Sequence, residues 1–290
     1  MRKKILLLIF GAVLALTLTG CEEIKDTSTM TTYTSVYPTE YILQNLYDDN
    51  ITIYSIYPDG TNYKNYKLTN KQLEDYSKSD IYIYTGSIKN ERDYAVKMLN
   101  KNKNLKVIDS TLGMNTTSNI EESWLNPSNY LMMASNIKKG LEEYIYETIE
   151  INKIDKNYEK LKLKLSKIDA ELKQVATDSN NPTIVVSSDT FKYLEKYGFK
   201  VISLEENENL TDKVLSEVKE LLNKKKITYI FTKDNENENS TIKALKENYE
   251  FTIVSLNTMS SLTTQQRKDK VDYESIMMDN INSIKLEVIK

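Results

Sequence analysis

A stripe of apolar residues near the middle of the chain constrains its fold more than any other feature. Its members recur at alternating intervals of four and three residues, and they are Ile154, Tyr158, Leu161, Leu165, Ile168, Leu172 and Val175. This spacing is typical of one face of a single long helix. A dimeric coiled coil would show the same stripe, but it runs for only about three heptads, and Tyr158 and the additional Leu163 favour packing against a domain. We therefore predict an intramolecular helix over residues 154–177.

Predicted strands and helices alternate on both sides of this helix. Short apolar, β-rich runs occur at residues 35–37, 51–57, 81–84 and 105–108 before it and at 183–187, 200–203, 228–231 and 251–256 after it. Strands that alternate with helices indicate right-handed βαβ units on parallel sheets. The sequence therefore predicts an α/β protein with an N-terminal lobe at residues 32–153, the linking helix, and a C-terminal lobe at residues 178–290.

The composition excludes several classes of chemistry. The chain has 290 residues with no His and one Cys, so an imidazole base, a Ser-His-Asp triad and a His-containing zinc site are impossible. A single Cys cannot form an internal disulfide, and no Gly-rich phosphate loop is present. Glu121 and Glu122 are adjacent and do not by themselves define an acid/base pair. We therefore predict that the protein is not an enzyme.

The N-terminus has the layout of a bacterial signal peptide. Three basic residues precede an apolar run at residues 5–18, and the run ends in LTGC at residues 18–21. The run is short for a transmembrane helix, which needs about 20 residues. The ending resembles a lipobox, whose cysteine carries the lipid, although Cys21 could also follow a simple secretion signal. We predict a lipoprotein signal peptide at residues 1–20, lipid attachment (palmitate) at Cys21 and a polar tether at residues 21–31.

The charge of the mature chain bears on its partners. Removal of the signal leaves 36 of the 39 basic residues against 42 acidic ones, a net charge of −6. This charge disfavours nucleic acid as a partner, so we expect the lipid alone to attach the protein to the extracytoplasmic face of the cell membrane. Acidic runs at residues 205–208 and 234–238 are interpreted as solvated loops or, alternatively, as a docking patch for a permease.

Three motifs follow one another along the mature chain: PDGTNYKNY at residues 58–66, EESWLNP at 121–127 and SSDTF at 187–191. In this order they resemble P-x-G-x-D-P-H-x-Y, D-P-H-x-W-x-D-P and S-H-D-A-F, the motifs of the solute-binding lipoproteins of zinc and manganese ABC importers. The resemblance covers nearly the whole mature chain. It implies a metal-ion transport protein with a ligand cleft between the lobes, and an ABC permease and ATPase as partners.

The same resemblance shows a departure at the ligand positions. It places Lys64, Glu122 and Ser188 where the family has histidines and Asn257 where it has a carboxylate. Pocket neighbours would be Tyr63, Tyr66, Trp124 and Asp189. Ser and Asn oxygens are weak ligands for zinc and manganese, and a Lys ammonium has no lone pair and repels a cation. A divalent metal is thus implied by the family resemblance alone, and no cofactor is predicted.

Three interpretations of this pocket remain open. In the first, the site no longer holds zinc or manganese, Lys64 and Glu122 pair across the cleft, and a small zwitterion could bind between them. In the second, oxygens of Asp59, Glu121, Glu122 and Asp189 hold a harder cation. In the third, the true ligand positions lie one or two residues away from those that the resemblance indicates.

These observations lead to one expected function and one alternative. We expect a lipid-anchored extracytoplasmic solute-binding protein of a metal-type ABC importer, with an altered or lost transition-metal site. The alternative is a surface lipoprotein for cell adhesion or interaction that keeps the scaffold without transport.

Overall fold

The computed structural model describes residues 30–47, 51–115, 119–234 and 236–289. The predicted signal peptide, Cys21 and the tether up to residue 29 lie outside the described residues. Within the described part of the chain, no helix is long and apolar enough to cross a membrane.

The N-terminal lobe is built on a four-stranded parallel sheet with the order β2-β1-β3-β4. Its strands are β1 (Thr31–Thr34), β2 (Thr52–Ser55), β3 (Ile81–Tyr84) and β4 (Lys106–Asp109). Its helices are α1 (Tyr37–Tyr47), α2 (Asn70–Tyr76), α3 (Lys89–Lys101), α4 (Glu122–Leu125) and α5 (Pro127–Glu142). The predicted strand at residues 35–37 is wrong, because Pro38 lies in the first turn of α1, where a missing N–H is tolerated.

The C-terminal lobe repeats this topology with the order β6-β5-β7-β8. Its strands are β5 (Thr183–Val186), β6 (Lys200–Ser203), β7 (Tyr229–Lys233) and β8 (Thr252–Leu256). Its helices are a 3₁₀ helix (Asp189–Tyr197), α7 (Asp212–Asn223), α8 (Ser240–Lys246), α9 (Thr264–Lys268) and α10 (Tyr273–Val288). In each sheet the chain order reverses beside the first strand, and the carboxyl ends of the strands there form a crevice.

Helix α6 (Thr148–Asp178) lies between the lobes in sequence and contains the predicted helical residues 154–177. Its 31 residues give a length of about 46 Å. It packs on α1 and α5 of one lobe and on α10 and the 3₁₀ helix of the other. Two parallel-sheet lobes joined by one long helix confirm the predicted fold class.

The buried face of α6 is the predicted stripe with one exception. Tyr158 is partly buried and the other six members are buried. The prediction that Leu163 also packs against a domain is wrong, since its side chain is 64% exposed. Leu163 follows Leu161 by two residues, about 200° around the helix, and so points to the opposite side.

The lobes are also joined by a segment of the C-terminal lobe at residues 258–262. The carbonyl of Thr258 accepts a hydrogen bond from Trp124 Nε1 at 2.7 Å, and the carbonyl of Leu262 accepts one from Gly60 N at 2.8 Å. The Tyr273 hydroxyl donates to the Trp124 carbonyl at 2.7 Å. These bonds connect the backbone of one lobe to the other and restrict hinge motion there.

Candidate functional site

A cavity of about 370 Å³ lies between the lobes, bounded by the loops after β2 and β4 on one side and by the carboxyl ends of β5, β6 and β7 on the other. One wall includes Tyr63, Lys64 and Glu121, and the other includes Ser188, Glu205 and Lys233. A larger groove of about 590 Å³ lies between α7 and α8 on the C-terminal lobe, away from the residues of the family motifs. The cavity between the lobes is therefore the candidate site.

Lys64 reaches this cavity from the loop between β2 and α2. Asn62 Oδ1 accepts a hydrogen bond from the Lys64 backbone N at 3.0 Å, an Asx turn that shapes the loop. Lys64 Nζ lies 2.8 Å from Glu121 Oε1 and 3.4 Å from Glu236 Oε1. Burial lowers the pKa of Lys64, but its bonds to these two carboxylates outweigh burial and raise the pKa. Lys64 is therefore a cation in the cleft.

Glu121 is the carboxylate that meets Lys64, one residue before the one we predicted. The Tyr63 hydroxyl donates to Glu121 Oε1 at 3.1 Å. Burial alone would raise the pKa of Glu121, but the charges of Lys233 and Lys64 hold the pKa below its usual value. The predicted Lys64–Glu122 pair is wrong because Glu122 already belongs to α4, where successive side chains diverge by about 100°.

Lys233 and Glu236 complete a cluster that sequence reasoning missed. Lys233 ends β7, its side chain is 7% exposed, and its Nζ lies 2.8 Å from Glu236 Oε1 and 4.0 Å from Glu121 Oε1. Glu236 belongs to one of the runs that we interpreted as a solvated loop or a docking patch. We call Lys64, Glu121, Lys233 and Glu236 the four-charge cluster. The only sequence signal for Lys233 was a lysine at the carboxyl end of a strand, where α/β folds place ligands.

Ser188 lies on the wall of the cavity that the C-terminal lobe forms, and its hydroxyl group already takes part in hydrogen bonds. Its hydroxyl donates to Glu205 Oε2 at 2.8 Å, and the backbone N of Asp189 donates to the same oxygen at 2.6 Å. Glu206, the next residue, accepts from the backbone N of Thr241 at 2.8 Å near the start of α8. The acidic run at residues 205–208 therefore contributes two carboxylates to the cavity wall.

Asn257 is not among the residues that line the cavity, and it is held by hydrogen bonds to α10 and to its own loop. Its backbone N donates to Asn280 Oδ1 at 2.8 Å, and its Oδ1 accepts from the backbone N of Met259 at 2.7 Å. Trp124 is fully buried, and the Tyr66 hydroxyl accepts from Gln72 Nε2 at 2.9 Å. Of the predicted pocket neighbours, Tyr63 lines the cavity.

The second interpretation, a harder-cation site, is wrong for the four predicted carboxylates. Asp59 pairs with Arg267 at 2.6 Å and Asp189 pairs with Lys192 at 3.0 Å, so each has a cation of its own away from Glu121. Glu122 lies near Tyr193, whose pKa is raised first by burial and then by the Glu122 charge. Among the described residues, no group of three or more His, Cys, Asp or Glu side chains could hold a metal ion.

Comparison with known proteins supports the family resemblance and the fold. A family model described as zinc-uptake complex component A, periplasmic (ZnuA), matches residues 32–286. A metal ABC transporter substrate-binding lipoprotein of Lactococcus lactis subsp. lactis (strain IL1403) is 26% identical over 214 residues, covering 67% of this chain and 68% of that protein. Its name describes the substrate-binding component of a transporter.

Solved structures share the fold at low identity. The metal-dependent lipoprotein YcdH of Bacillus subtilis has a TM-score of 0.74 at 15% identity, covering 90% of this chain and 100% of that one. The Zn(II)-bound ZnuA-like domain of Streptococcus pneumoniae AdcA has a TM-score of 0.70 at 21% identity, covering 90% and 99%. The laminin-binding protein Lbp of Streptococcus pyogenes has a TM-score of 0.69 at 16% identity, covering 89% and 98%.

The family model spans both lobes and the helix between them, and the lipoprotein relative matches about two thirds of the chain. The chain therefore belongs to the zinc-uptake complex component A (ZnuA) family of metal-type ABC transporter solute-binding proteins.

Proposed function

We propose that this chain is a lipid-anchored, extracytoplasmic solute-binding protein of a metal-type ABC importer whose transition-metal site is altered. One observation carries the proposal: the four-charge cluster lines the cavity between the lobes in a chain that has no histidine. The scaffold is that of a solute carrier, while the side chains in the cleft are not those of a zinc site.

The chemistry of the donors supports the altered site. A transition metal needs lone pairs from imidazole, thiolate or carboxylate groups. Lys64 offers none, and its charge opposes a cation by about 4 kcal/mol per unit-charge pair at 4 Å with an effective dielectric of 20. Ser188 is already bonded to Glu205. The residues present therefore do not fit a transition-metal ion.

The anchor and the partners are inferred from the sequence and the relatives. Cys21 ends a lipobox-like motif, and the Lactococcus relative is named a lipoprotein. Proteins of this family work with a permease and an ATPase, so we assign this chain to such an importer.

Co-isolation from native membranes tests this assignment. Tagged full-length chain, solubilised from the membranes of its source organism, should bring a metal-importer permease and ATPase with it. Cys21→Ser, which removes the acceptor of the lipid, should leave the membrane fraction. Recovery of the wild-type chain from membranes without any permease would contradict the importer assignment.

A surface interaction lipoprotein is the second candidate. The four-charge cluster favours it, because charges that already pair across the cleft join the lobes without a solute. The gene neighbourhood distinguishes the candidates. Permease and ATPase genes beside this one support the importer, and a gene that stands alone supports the interaction protein.

A further inference from the structure

We propose that Lys64 and Lys233 determine the specificity of the cleft: their ammonium groups act as tethered cations that join the two lobes without a solute and exclude divalent metal ions. This inference rests on the proposed function, since it takes the cleft as the solute site. It goes further by assigning the exclusion to two residues, one from each lobe.

Two ion pairs of the cluster cross the cleft, and each lobe supplies the lysine of one pair and the glutamate of the other. Lys64 and Glu121 belong to the N-terminal lobe, and Lys233 and Glu236 belong to the C-terminal lobe. The distances across the cleft are 3.4 Å from Lys64 Nζ to Glu236 Oε1 and 4.0 Å from Lys233 Nζ to Glu121 Oε1. Both ammonium groups therefore share the same two carboxylate oxygens, as a bridging cation would.

Burial divides the cluster into an inner and an outer part. The side chains of Glu121 and Lys233 are each 7% exposed, whereas those of Lys64 and Glu236 are 42% and 41% exposed. A buried ion requires a partner, so Glu121 and Lys233 depend on each other and on the outer pair. Removing the lysines would leave the Glu121 carboxylate buried without a cation.

The charge balance explains the exclusion of metal. The two ammonium and two carboxylate groups of the cluster sum to zero. Glu205 and Glu206 add two carboxylates to the cavity wall, but each already accepts hydrogen bonds within its own lobe. An ion that approached Glu121 would meet Lys64 at hydrogen-bonding distance from the same oxygen, and the two positive charges would repel each other. The lysines must leave before a metal can enter.

The experiment measures the distance between the lobes and the affinity for calcium in the same protein. Spin labels are placed on cysteines that replace the exposed Lys97 on α3 and Lys213 on α7, in the full chain carrying Cys21→Ser. Pulsed electron paramagnetic resonance then gives the lobe separation with EDTA, with calcium chloride and with zinc chloride. Titration calorimetry with the same salts gives the affinities.

Three variants make the experiment decisive. Lys64→Met with Lys233→Met removes both tethered cations, and Lys64→Arg with Lys233→Arg keeps both charges. Lys78→Met is the matched control, because Lys78 pairs with Asp75 at 3.0 Å on the surface of one lobe. Lys64→Met alone serves if the double Met variant does not fold, since Lys64 belongs to the outer pair.

We expect the wild type to give one lobe separation, unchanged by EDTA, calcium or zinc. In the variant with both Met substitutions, the lobe separation should exceed that of the wild type in EDTA and return to the wild-type value with calcium. This variant should also bind calcium at least about tenfold more tightly than the wild type. The Arg variant and Lys78→Met should match the wild type. A wild-type separation that shifts with zinc, or a folded Met variant with unchanged separation and calcium affinity, would overturn the inference. Neither result depends on whether a permease is recovered from membranes.

Discussion

At the scale of single residues, Glu91 is a titrating group outside the cleft. It is fully buried beside the carboxyl ends of β1 and β3, where its carboxylate accepts from Thr85 N at 2.8 Å and from the Tyr57 hydroxyl at 3.0 Å. Burial raises the pKa of Glu91 to about 7, and these donors, with Ser35, only partly oppose it. Asp109 also raises this pKa, so the site disfavours a second negative charge.

This pKa predicts how stability depends on pH. Because the folded pKa of about 7 lies above the ordinary glutamate value of 4.5, Glu91 stabilises the fold below pH 4.5 and loses that contribution as the pH rises from 4.5 through 7. The side chain that replaces Glu91 in Glu91→Gln cannot ionise. The free energy of unfolding of this variant, relative to that of the wild type, should therefore rise by about 2–3 kcal/mol between pH 5 and pH 8. Urea denaturation across this range measures the gain. A difference that does not vary with pH would contradict the predicted pKa.

Residue positions could be predicted from motifs, but side-chain directions could not. The motifs placed Lys64 and Ser188 at the cavity because a family resemblance aligns the backbone. They could not decide between Glu121 and Glu122, since that choice depends on where α4 begins. Lys233 and Glu236 lie about 170 residues from Lys64 in sequence, and their meeting depends on how the two lobes pack.

At the scale of elements, α6 gives a matched pair of leucines on opposite faces. Leu165 is 2% exposed and Leu163 is 64% exposed. Leu165→Ala should lower the free energy of unfolding by about 2–5 kcal/mol, because it removes buried apolar atoms and leaves a cavity. Leu163→Ala should change it by less than about 0.5 kcal/mol. Chemical denaturation of both variants is the measurement, and equal losses would show that the helix is rotated or self-associates through Leu163.

The type of each element was easier to predict than its ends. The stripe of α6 indicated a helix because its period matches 3.6 residues per turn, yet the helix begins at Thr148, ahead of the stripe. The first strand was placed four residues too late, because Ser35, Val36 and Tyr37 read as β-rich although the chain turns there into α1. Short apolar runs do not distinguish a strand from the start of a helix.

At the scale of the whole molecule, a second ionic contact joins the lobes outside the four-charge cluster. Arg267 of the C-terminal lobe binds both oxygens of Glu40, at 2.6 and 2.8 Å, and its Nε binds Asp59 at 2.6 Å. The Glu40 side chain is 6% exposed. Arg267→Met should therefore lower the free energy of unfolding by about 3–5 kcal/mol, because it leaves a buried carboxylate without its cation.

An exposed ion pair supplies the control for this substitution. Lys78→Met, which breaks the surface pair with Asp75, should cost less than about 1 kcal/mol. Thermal and urea unfolding of both variants compare the two losses. If the two variants lose the same stability, the Arg267 contact does not hold the lobes together.

The fold of the whole molecule could be predicted, and the chemistry of its cleft only in part. Alternating strands and helices around one long helix determine the two-lobe architecture, and the absence of histidine excludes the family's usual ligands. The pairing of two ammonium groups in the cleft could not be predicted, because Lys64 and Lys233 belong to different lobes and meet only in the folded molecule.

The most direct test of the account is metal binding by the cleft itself. Titration calorimetry of the full-length protein with zinc and manganese, together with metal analysis of the purified sample, measures it. We predict no submicromolar binding of either ion and no stoichiometric metal in the sample. Stoichiometric zinc with submicromolar affinity, lost in Glu121→Ala, would contradict the claim that lysines have replaced the metal.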